Sequence, residues 1–234
     1  MKIGETKESR IVEIIKGVLT AKMTVPFLII SIGFGIILFP KAKEMYADYK
    51  GDQEIKNFER MLDEGNEEIS VELEDLEESN PDDLALGTQA PVKKDFEGNA
   101  SIIGIIYIDS IDLKLPITEG SDTKALDGKI VGHETSTVMP NEIGNCALAS
   151  HRSVTKNRNF NRLNEVKKGD GIKITSINGT VEYEVYDSYI VPRSDGSPLN
   201  QPKDKTIKEI TLITCDPIGV KNPPNRIIVK AVEK

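Results

Sequence analysis

The residues of this sequence best suited to covalent chemistry are one cysteine, one histidine and one arginine, each at one end of an apolar segment. Cys215 closes EITLITC and leads into the Pro- and Gly-rich loop DPIGVKNPPN, His151 closes NCALASH, and Arg226 opens RIIVKAV. A cysteine thiolate is a strong nucleophile, and an imidazole holds or delivers a proton near neutral pH. A fixed guanidinium stabilises the oxyanion of a tetrahedral intermediate. The set therefore suits acyl transfer through a covalent intermediate on Cys215.

The second cysteine, the second histidine and a nearby arginine are interpreted as structural residues. Cys146 lies inside the apolar segment NCALA and is interpreted as core, although a Cys146–Cys215 disulfide is the one pairing that two cysteines allow and would abolish the nucleophile. His133 lies in loop-like sequence and is interpreted as structural or as the edge of a cleft. Arg152 directly follows His151, and neighbouring side chains on an extended chain point to opposite sides. Only one of these two should face Cys215.

Short β-strands are the predicted elements that position these residues. In the C-terminal part of the chain, apolar and β-branched runs alternate with turn residues, which indicates seven or eight strands in about 135 residues and favours a closed or nearly closed barrel. Asn178-Gly179 predicts a tight hairpin. Two short helical segments are expected between strands, at 122–126 and 160–166.

An uncharged apolar segment at 23–40 reaches the length of a membrane-spanning helix. Its internal Pro and Gly are poor choices for a soluble helix but common in membrane helices. Residues 1–22 carry more Lys and Arg than Glu, so they are predicted to be cytoplasmic and the rest of the chain extracytoplasmic. A cleaved signal peptide is the alternative, but this polar flank is long for one. A single-pass protein of the cell membrane is expected.

Acidic residues are concentrated between the apolar segment and the strand-rich region. Residues 52–83 contain 14 acidic side chains and two basic ones, against a net charge of −8 for the whole chain. Apolar residues recur at helical spacing between Ile55 and Leu62, whereas 67–83 is expected to be an extended, self-repelling tether. The predicted organisation is a cytoplasmic flank at 1–22, a transmembrane anchor at 23–40, an acidic extracytoplasmic linker at 41–98 and a catalytic domain at 99–234.

The composition argues against several classes of function. Acidic residues outnumber basic ones by 38 to 30, which argues against a nucleic-acid partner. Two cysteines and two histidines without paired ligand spacing argue against structural zinc. No cofactor is predicted.

Around the reactive residues the sequence resembles the sortase family, over nearly all of residues 100–233. TLITC at 211–215 matches the family signature TLxTC, and the order His, Cys, Arg at successive strand ends matches its active site. VGHETSTVMPNEIGNCALASHR and FNRLNEVKKGDGIKI resemble two further segments of the family. Ser150 and Ser136-Thr137 stand where the family often has Gly and Gly-Thr, a departure that concerns local loop shape.

The resemblance implies an all-β, eight-stranded barrel and an extracytoplasmic cysteine transpeptidase, a thiol protease of Gram-positive bacteria. Cys215 would attack the scissile carbonyl of an LPxTG-like C-terminal sorting signal on a secreted protein. His151 would act as general acid and base, and Arg226 would support the oxyanion or position the substrate. An amine of a cell-wall precursor or of a pilin lysine would resolve the thioacyl enzyme, and water would give hydrolysis instead.

The resemblance also bears on subclass and metal. No Asp-Pro-aromatic lid precedes the barrel, and the connection 193–209 has 17 residues, too short for the helix that class B inserts there. Class D fits best, ahead of classes A, E and C. Some sortases bind calcium through loop carboxylates, as Glu134 and Glu142 would allow, but such surface acids are common and no metal is predicted.

An extended sorting peptide would need an apolar groove. For this groove we predict Ile190, Val191, Leu199 and Ile213, which lie near the ends of apolar segments or in the loop between them. Two alternative functions remain open. One is a surface cysteine hydrolase that releases proteins without ligating them, and the other is a noncatalytic anchored module in which Cys215 is buried or disulfide-bonded.

Overall fold

The computed structural model describes residues 7–77, 102–122, 125–126 and 128–234, with the side chains of the N-terminal helix described over 26–64. In this described part, helix α1 spans Lys7–Glu77 and precedes eight strands. The strands are β1 (Ile102–Ile108), β2 (Leu113–Glu119), β3 (Val131–His133), β4 (Gly144–Ala149), β5 (Gly171–Ser176), β6 (Gly179–Pro192), β7 (Lys208–Asp216) and β8 (Asn225–Glu233). They close into a barrel in the order β1-β2-β3-β4-β7-β8-β6-β5, so the predicted all-β, eight-stranded barrel is confirmed.

Alternating side chains give each strand an inner and an outer face. Leu148 of β4, Ile210 and Leu212 of β7, and Ile227 and Val229 of β8 all belong to the buried core. The residues between them consequently point outward. Since β4 and β7 are adjacent and parallel, both strands end at the same edge of the barrel, where their outward residues meet.

Three short 3₁₀ helices lie in the connections of the described chain, at Asp109–Ile111, Leu163–Glu165 and Ser197–Leu199. The second falls within the segment 160–166 that was predicted to be helical. In the segment 122–126, the amide of Leu126 donates to the carbonyl oxygen of Asp122 at 3.0 Å, while positions 123 and 124 lie outside the described residues. A hairpin joins β5 to β6 as predicted, but its turn is one residue earlier: Ser176 pairs with Gly179, so Ile177 and Asn178 form the turn and Gly179 begins β6.

Contacts divide the chain into two compact units, 1–47 and 48–234. In the first unit, the large apolar side chains between Phe27 and Phe39 are exposed over 47–73% of their surface. By length and composition this part of α1 is able to cross a membrane. An exposed apolar helix near the N-terminus is typical of a membrane anchor or a signal sequence.

The second unit begins at Asp48 and therefore contains the later part of α1 together with the barrel. Ile55 and Phe58 are buried to 5% and 3% exposure and pack against Ile105, which points outward from β1. Residues 48–64 fall in the acidic linker predicted at 41–98, but the apolar residues that set their helical spacing are covered by the barrel. The compact unit accordingly starts about fifty residues before the predicted boundary at 99.

Polar contacts reinforce this packing. Glu59 accepts hydrogen bonds from the Tyr107 hydroxyl at 3.1 Å and from Lys114 Nζ at 2.8 Å. Beyond the packed region, α1 continues through Glu77, whereas an extended tether was predicted from residue 67. The rest of the predicted tether, from residue 78, lies outside the described residues.

Candidate active site

Cys215 and Arg226 lie directly opposite each other on the antiparallel strands β7 and β8. Opposed residues in such a pair share a face of the sheet and have closely spaced Cβ atoms. Because Leu212 and Ile227 point inward, alternation turns Cys215 and Arg226 to the outer face. Both side chains are half-buried, so the thiol remains accessible next to the guanidinium.

His151 reaches the same face from β4. Ala149 lies beside Ile213 in the parallel β4–β7 pair, and the Ser150 amide donates to the carbonyl oxygen of Ile213 at 3.2 Å. Extending this register by two residues places His151 next to Cys215 with both side chains outward. His151 is exposed. The structure thus directs the three predicted residues to one face, in the order His151, Cys215, Arg226, with Cys215 and Arg226 paired on β7 and β8 and His151 two residues beyond the end of β4.

The guanidinium of Arg226 is held by the loop that precedes it. Its Nη1 donates to the carbonyl oxygens of Pro223 at 3.2 Å and Asn225 at 2.8 Å. These bonds fix the orientation of a cation beside the thiol before any substrate arrives. A fixed cationic donor is what stabilisation of an oxyanion requires.

Arg152, the neighbour of His151, turns to the other face. Its Nη1 donates to Asp216 Oδ1 at 2.6 Å, and the Arg152 side chain is only 10% exposed. His151 alone of this adjacent pair shares the outer face with Cys215, as strand alternation led us to expect.

Two of the four predicted substrate-binding residues share the face of Cys215. Val191 pairs with Arg226 across β6 and β8, and Ile213 precedes Cys215 by two positions on β7. The structure does not bring Ile190 to this face, because it pairs with Ile227, whose side chain belongs to the core. Ile190 itself is 58% exposed, so it is not part of that core.

The fourth predicted residue, Leu199, ends the 3₁₀ helix Ser197–Leu199 in the connection between β6 and β7. Asn145 fixes this connection by donating from Nδ2 to the carbonyl oxygens of Pro198 at 3.0 Å and Asn200 at 3.1 Å. The Thr211 hydroxyl in turn donates to Asn145 Oδ1 at 2.7 Å. Thr211 points outward from β7 like Cys215, so the connection forms a wall along the outer face that carries the reactive row.

Sequence reasoning assigned no role to Asn145 or Thr211. Both are fully buried and both lie in strands otherwise rich in apolar residues. A polar side chain within such a strand is a usable signal, because a buried polar group needs a hydrogen-bond partner. Here that partner belongs to a different strand or to the wall.

The second cysteine and the second histidine lie on the inner side of the barrel. Cys146 is a free thiol in the core, as is Cys215 outside it, so the two do not form the disulfide that the cysteine count allowed. Burial raises the pKa of the Cys146 thiol well above its usual value, which keeps it protonated. His133 is 1% exposed, with Nε2 2.8 Å from the carbonyl oxygen of Val138 and Nδ1 3.3 Å from Glu119 Oε1. These contacts indicate a structural histidine.

The two loop carboxylates considered for calcium have donors from the protein. Glu134 accepts hydrogen bonds from the hydroxyl groups of Ser121 at 2.6 Å and Ser136 at 3.2 Å. Glu142 accepts one from the amide of Met139 at 3.3 Å. Within the described residues, acidic, His and Cys side chains form no group of three or more that could hold a metal ion.

Comparison with known proteins points to one family. A family model described as the sortase domain matches residues 106–234. Sortase D of Bacillus subtilis is 36% identical over 145 residues, covering 60% of this chain and 69% of that protein. Sortase A of Listeria monocytogenes is 27% identical over 198 residues, covering 83% and 84% respectively.

Solved structures agree with this match. A lid mutant of sortase A from Corynebacterium diphtheriae superimposes with a TM-score of 0.53 at 31% identity, over 59% of this chain and 73% of that one. A pilus-related sortase C of Group B Streptococcus gives a TM-score of 0.52 at 30% identity, over 57% and 67%.

Proposed function

Because this chain belongs to the sortase family of cysteine transpeptidases, we propose that it cleaves an LPxTG-like sorting signal through a thioacyl intermediate on Cys215 and transfers the protein to an amine. The observation that carries the proposal is the outer-face row of His151, Cys215 and Arg226: β7 and β8 pair Cys215 with Arg226, and the β4–β7 register, extended two residues beyond its last pair, leads to His151. A nucleophile, a proton carrier and a fixed cation are what acyl transfer needs.

In the first half of the reaction, the Cys215 thiolate attacks the scissile carbonyl carbon and the carbonyl oxygen becomes an oxyanion. Arg226, held by its two carbonyl contacts, stabilises that charge. The C–N bond then breaks as His151 gives its proton to the leaving amine. The products are a thioacyl enzyme and the released C-terminal part of the signal.

In the second half, an incoming amine attacks the thioester carbonyl and His151 accepts the proton that the amine loses. Collapse of the second tetrahedral intermediate restores the thiolate and leaves an amide bond between the protein and the acceptor. Water in place of the amine would give hydrolysis. The acceptor we propose is an amine of a cell-wall precursor or of a pilin lysine.

The sorting peptide would lie along the outer face, in contact with Val191 and Ile213 and bounded by the wall that contains Leu199. Strand pairing supports the first two, since Val191 is opposite Arg226 and Ile213 is two residues from Cys215. The contacts of Asn145 with Pro198 and Asn200 support the wall. We place Ile190 outside this groove.

The enzyme would act outside the cell, anchored by residues 23–40, on secreted proteins that carry C-terminal sorting signals. The exposed apolar helix supports the anchor, and the basic flank at 1–22 supports its orientation. Similarity to sortase D of Bacillus subtilis supports a class D-like member.

The test is turnover of a fluorogenic LPxTG-type peptide by the full chain, with and without an added amine acceptor. We expect wild type and Cys146→Ala to cleave the peptide, and Cys215→Ala to be inactive. Mass spectrometry should detect the acyl group on Cys215 and, with acceptor present, the ligated product. Equal turnover by wild type and Cys215→Ala would refute the proposal, and hydrolysis that no amine diverts would favour the hydrolase.

A further inference from the structure

A partly buried ion pair joins the residues that directly follow the predicted histidine and cysteine. Arg152 Nη1 lies 2.6 Å from Asp216 Oδ1, with side-chain exposures of 10% and 22%. Arg152 Nη2 also donates to Asn164 Oδ1 at 3.0 Å. The same guanidinium therefore contacts the end of β7 and the 3₁₀ helix Leu163–Glu165, while its own backbone continues β4.

The pair lies where the sheet gives His151 the least support. β4 ends at Ala149, and in the described chain the backbone bond nearest to His151 between these two strands joins the Ser150 amide to the carbonyl oxygen of Ile213. The carbonyl oxygen of His151 is already bonded to the Phe160 amide of its own loop, at 3.1 Å. The separation between His151 and Cys215 thus depends on contacts beyond the strand ladder.

The Arg152–Asp216 ion pair, called the strut below, links the backbone next to His151 with the backbone next to Cys215. Each residue is bonded covalently to one member of the reactive pair, and the ion pair closes the link on the opposite face. A guanidinium is planar and presents its donors in a rigid fork, so it fixes orientation as well as distance. Arg152 Nε is buried and makes no hydrogen bond within the described residues, a desolvation cost that a purely stabilising contact at the surface would avoid.

Building on the proposed function, we infer that Arg152 and Asp216 are positioning residues that set the distance and orientation of His151 relative to Cys215. They touch neither the thiol nor the outer face of the row and so act through their neighbours. A shift of about 1 Å in reacting groups costs on the order of 100-fold in rate. Loss of the strut should therefore lower the rate of acylation more than substrate affinity.

The chain offers a control in another ion pair, which is buried. Lys230 Nζ lies 2.6 Å from Glu209 Oε1, with side-chain exposures of 11% and 9%. It links β7 to β8 and is six residues from Cys215 along β7. Removing its charge by Glu209→Gln should disturb stability as much as Asp216→Asn does, without moving His151.

The experiment compares full-length wild type, Asp216→Asn, Arg152→Lys and Glu209→Gln in detergent micelles. The first readout is single-turnover acylation by the sorting peptide. For Asp216→Asn and Arg152→Lys we expect the maximal acylation rate constant to fall about 10- to 100-fold, with the half-saturating peptide concentration within about 2-fold of wild type. The second readout is the pH profile of Cys215 modification by a thiosulfonate reagent, which forms a mixed disulfide with the thiol and releases sulfinate. We expect both strut variants to react more slowly near neutral pH, while Glu209→Gln follows the wild-type profile.

A double-mutant cycle between Arg152 and Asp216 completes the test. If the strut is one unit, the double variant Arg152→Lys/Asp216→Asn should lose no more activity than the worse single variant. Additive losses, or losses that Glu209→Gln reproduces at equal melting temperature, would overturn the inference. Failure of the proposed function would look different, because the wild type itself would leave the peptide uncleaved while thiosulfonate modification of Cys215 still reported on the strut.

Discussion

Cys215 lies between His151 and Arg226 because of the register of its strand with the neighbouring chain segments. His151 is 64 positions before it in the chain and Arg226 is eleven positions after it, yet both occupy neighbouring places on one face. The proposed roles of His151 and Arg226 depend on the face to which each side chain points as much as on residue type. Arg152 has the same charge as Arg226 and adjoins the histidine, but it points to the opposite face and bonds Asp216.

The first residue-scale prediction concerns the charge of Arg226. Arg226→Lys keeps the positive charge but loses the planar fork that two carbonyl oxygens hold in place. We expect kcat/KM for the sorting peptide to fall by about 10²- to 10³-fold, the usual cost of one oxyanion donor. Arg60→Lys, on the exposed side of α1, is the control and should match wild type. Activity of Arg226→Lys within about 2-fold of wild type would argue against an oxyanion role.

A second residue-scale prediction follows from Glu59. The bond from Lys114 Nζ holds the pKa of this carboxyl below its ordinary value of 4.5, with a smaller contribution from the Tyr107 hydroxyl. Burial, together with the bond to Glu59, raises the pKa of Tyr107 to about 12, so the phenol stays a donor. Because the folded-state pKa of Glu59 is depressed, its stabilising contribution is present above the unfolded-state pKa and is lost as the pH falls through the folded-state pKa.

Melting temperatures of wild type and Glu59→Gln, measured from about pH 7 to about pH 3, test this linkage. We expect wild type to be the more stable near neutral pH and the gap to narrow toward acid. A gap that stayed constant, or widened as the pH fell, would contradict the assignment.

At the scale of elements, the wall between β6 and β7 is held by side chains from the strands beneath it. Asn145 of β4 bonds the carbonyl oxygens of Pro198 and Asn200, and Thr211 of β7 bonds Asn145. The amide of Asn145 also donates to Gln201 Oε1 at 2.7 Å. A connection without sheet pairing of its own thereby gains a fixed position along the proposed groove.

Thr211→Val tests that role, since it removes the hydroxyl with little change in shape. Asn145 Oδ1 then loses its donor in a buried site, which should lower the free energy of unfolding by about 1–3 kcal/mol and raise KM by loosening the wall. The matched control is Thr180→Val, whose exposed hydroxyl lies 3.0 Å from that of Thr175. Equal effects of the two changes on KM would argue against a fixed wall.

At the scale of the whole molecule, the chain combines an exposed apolar helix with a compact unit that begins at Asp48. The barrel alone does not complete this unit. Asp48 pairs with Arg158 at 3.3 Å, and Ile55 and Phe58 cover Ile105. The later part of α1 is therefore an integral layer of the compact unit, acidic outside and apolar within.

Two truncations separate the anchor from this layer. A chain that begins at Asp48 should be released from membranes yet keep the melting temperature and peptide turnover of the full chain. A chain that begins at residue 66 should expose Ile105 and melt at a lower temperature, because it loses the burial of two large apolar side chains, each contributing about 1.5–3 kcal/mol. Fractionation and calorimetry provide the readouts. Equal melting temperatures of the two truncated chains would contradict the packing of Ile55 and Phe58 against Ile105.

The sequence by itself determined the features that local patterns encode. Alternating apolar residues and turn signals predicted the strand-rich domain, the uncharged run predicted the candidate membrane helix, and motif contexts predicted Cys215, His151 and Arg226 as the reactive set. Each of these signals is contained within a few residues of chain, so no knowledge of the folded state was required.

Only the tertiary structure decided what depends on pairing between distant segments. Register placed Ile190 on the face opposite Cys215, joined Asn145 to Thr211 across 66 positions, and brought Arg152 to Asp216 across 64. It also buried Ile55 and Phe58, whose helical spacing was visible but whose partner on β1 was not. A local pattern fixes the periodicity of a segment, whereas the surface that it contacts is chosen by the packing of the whole fold.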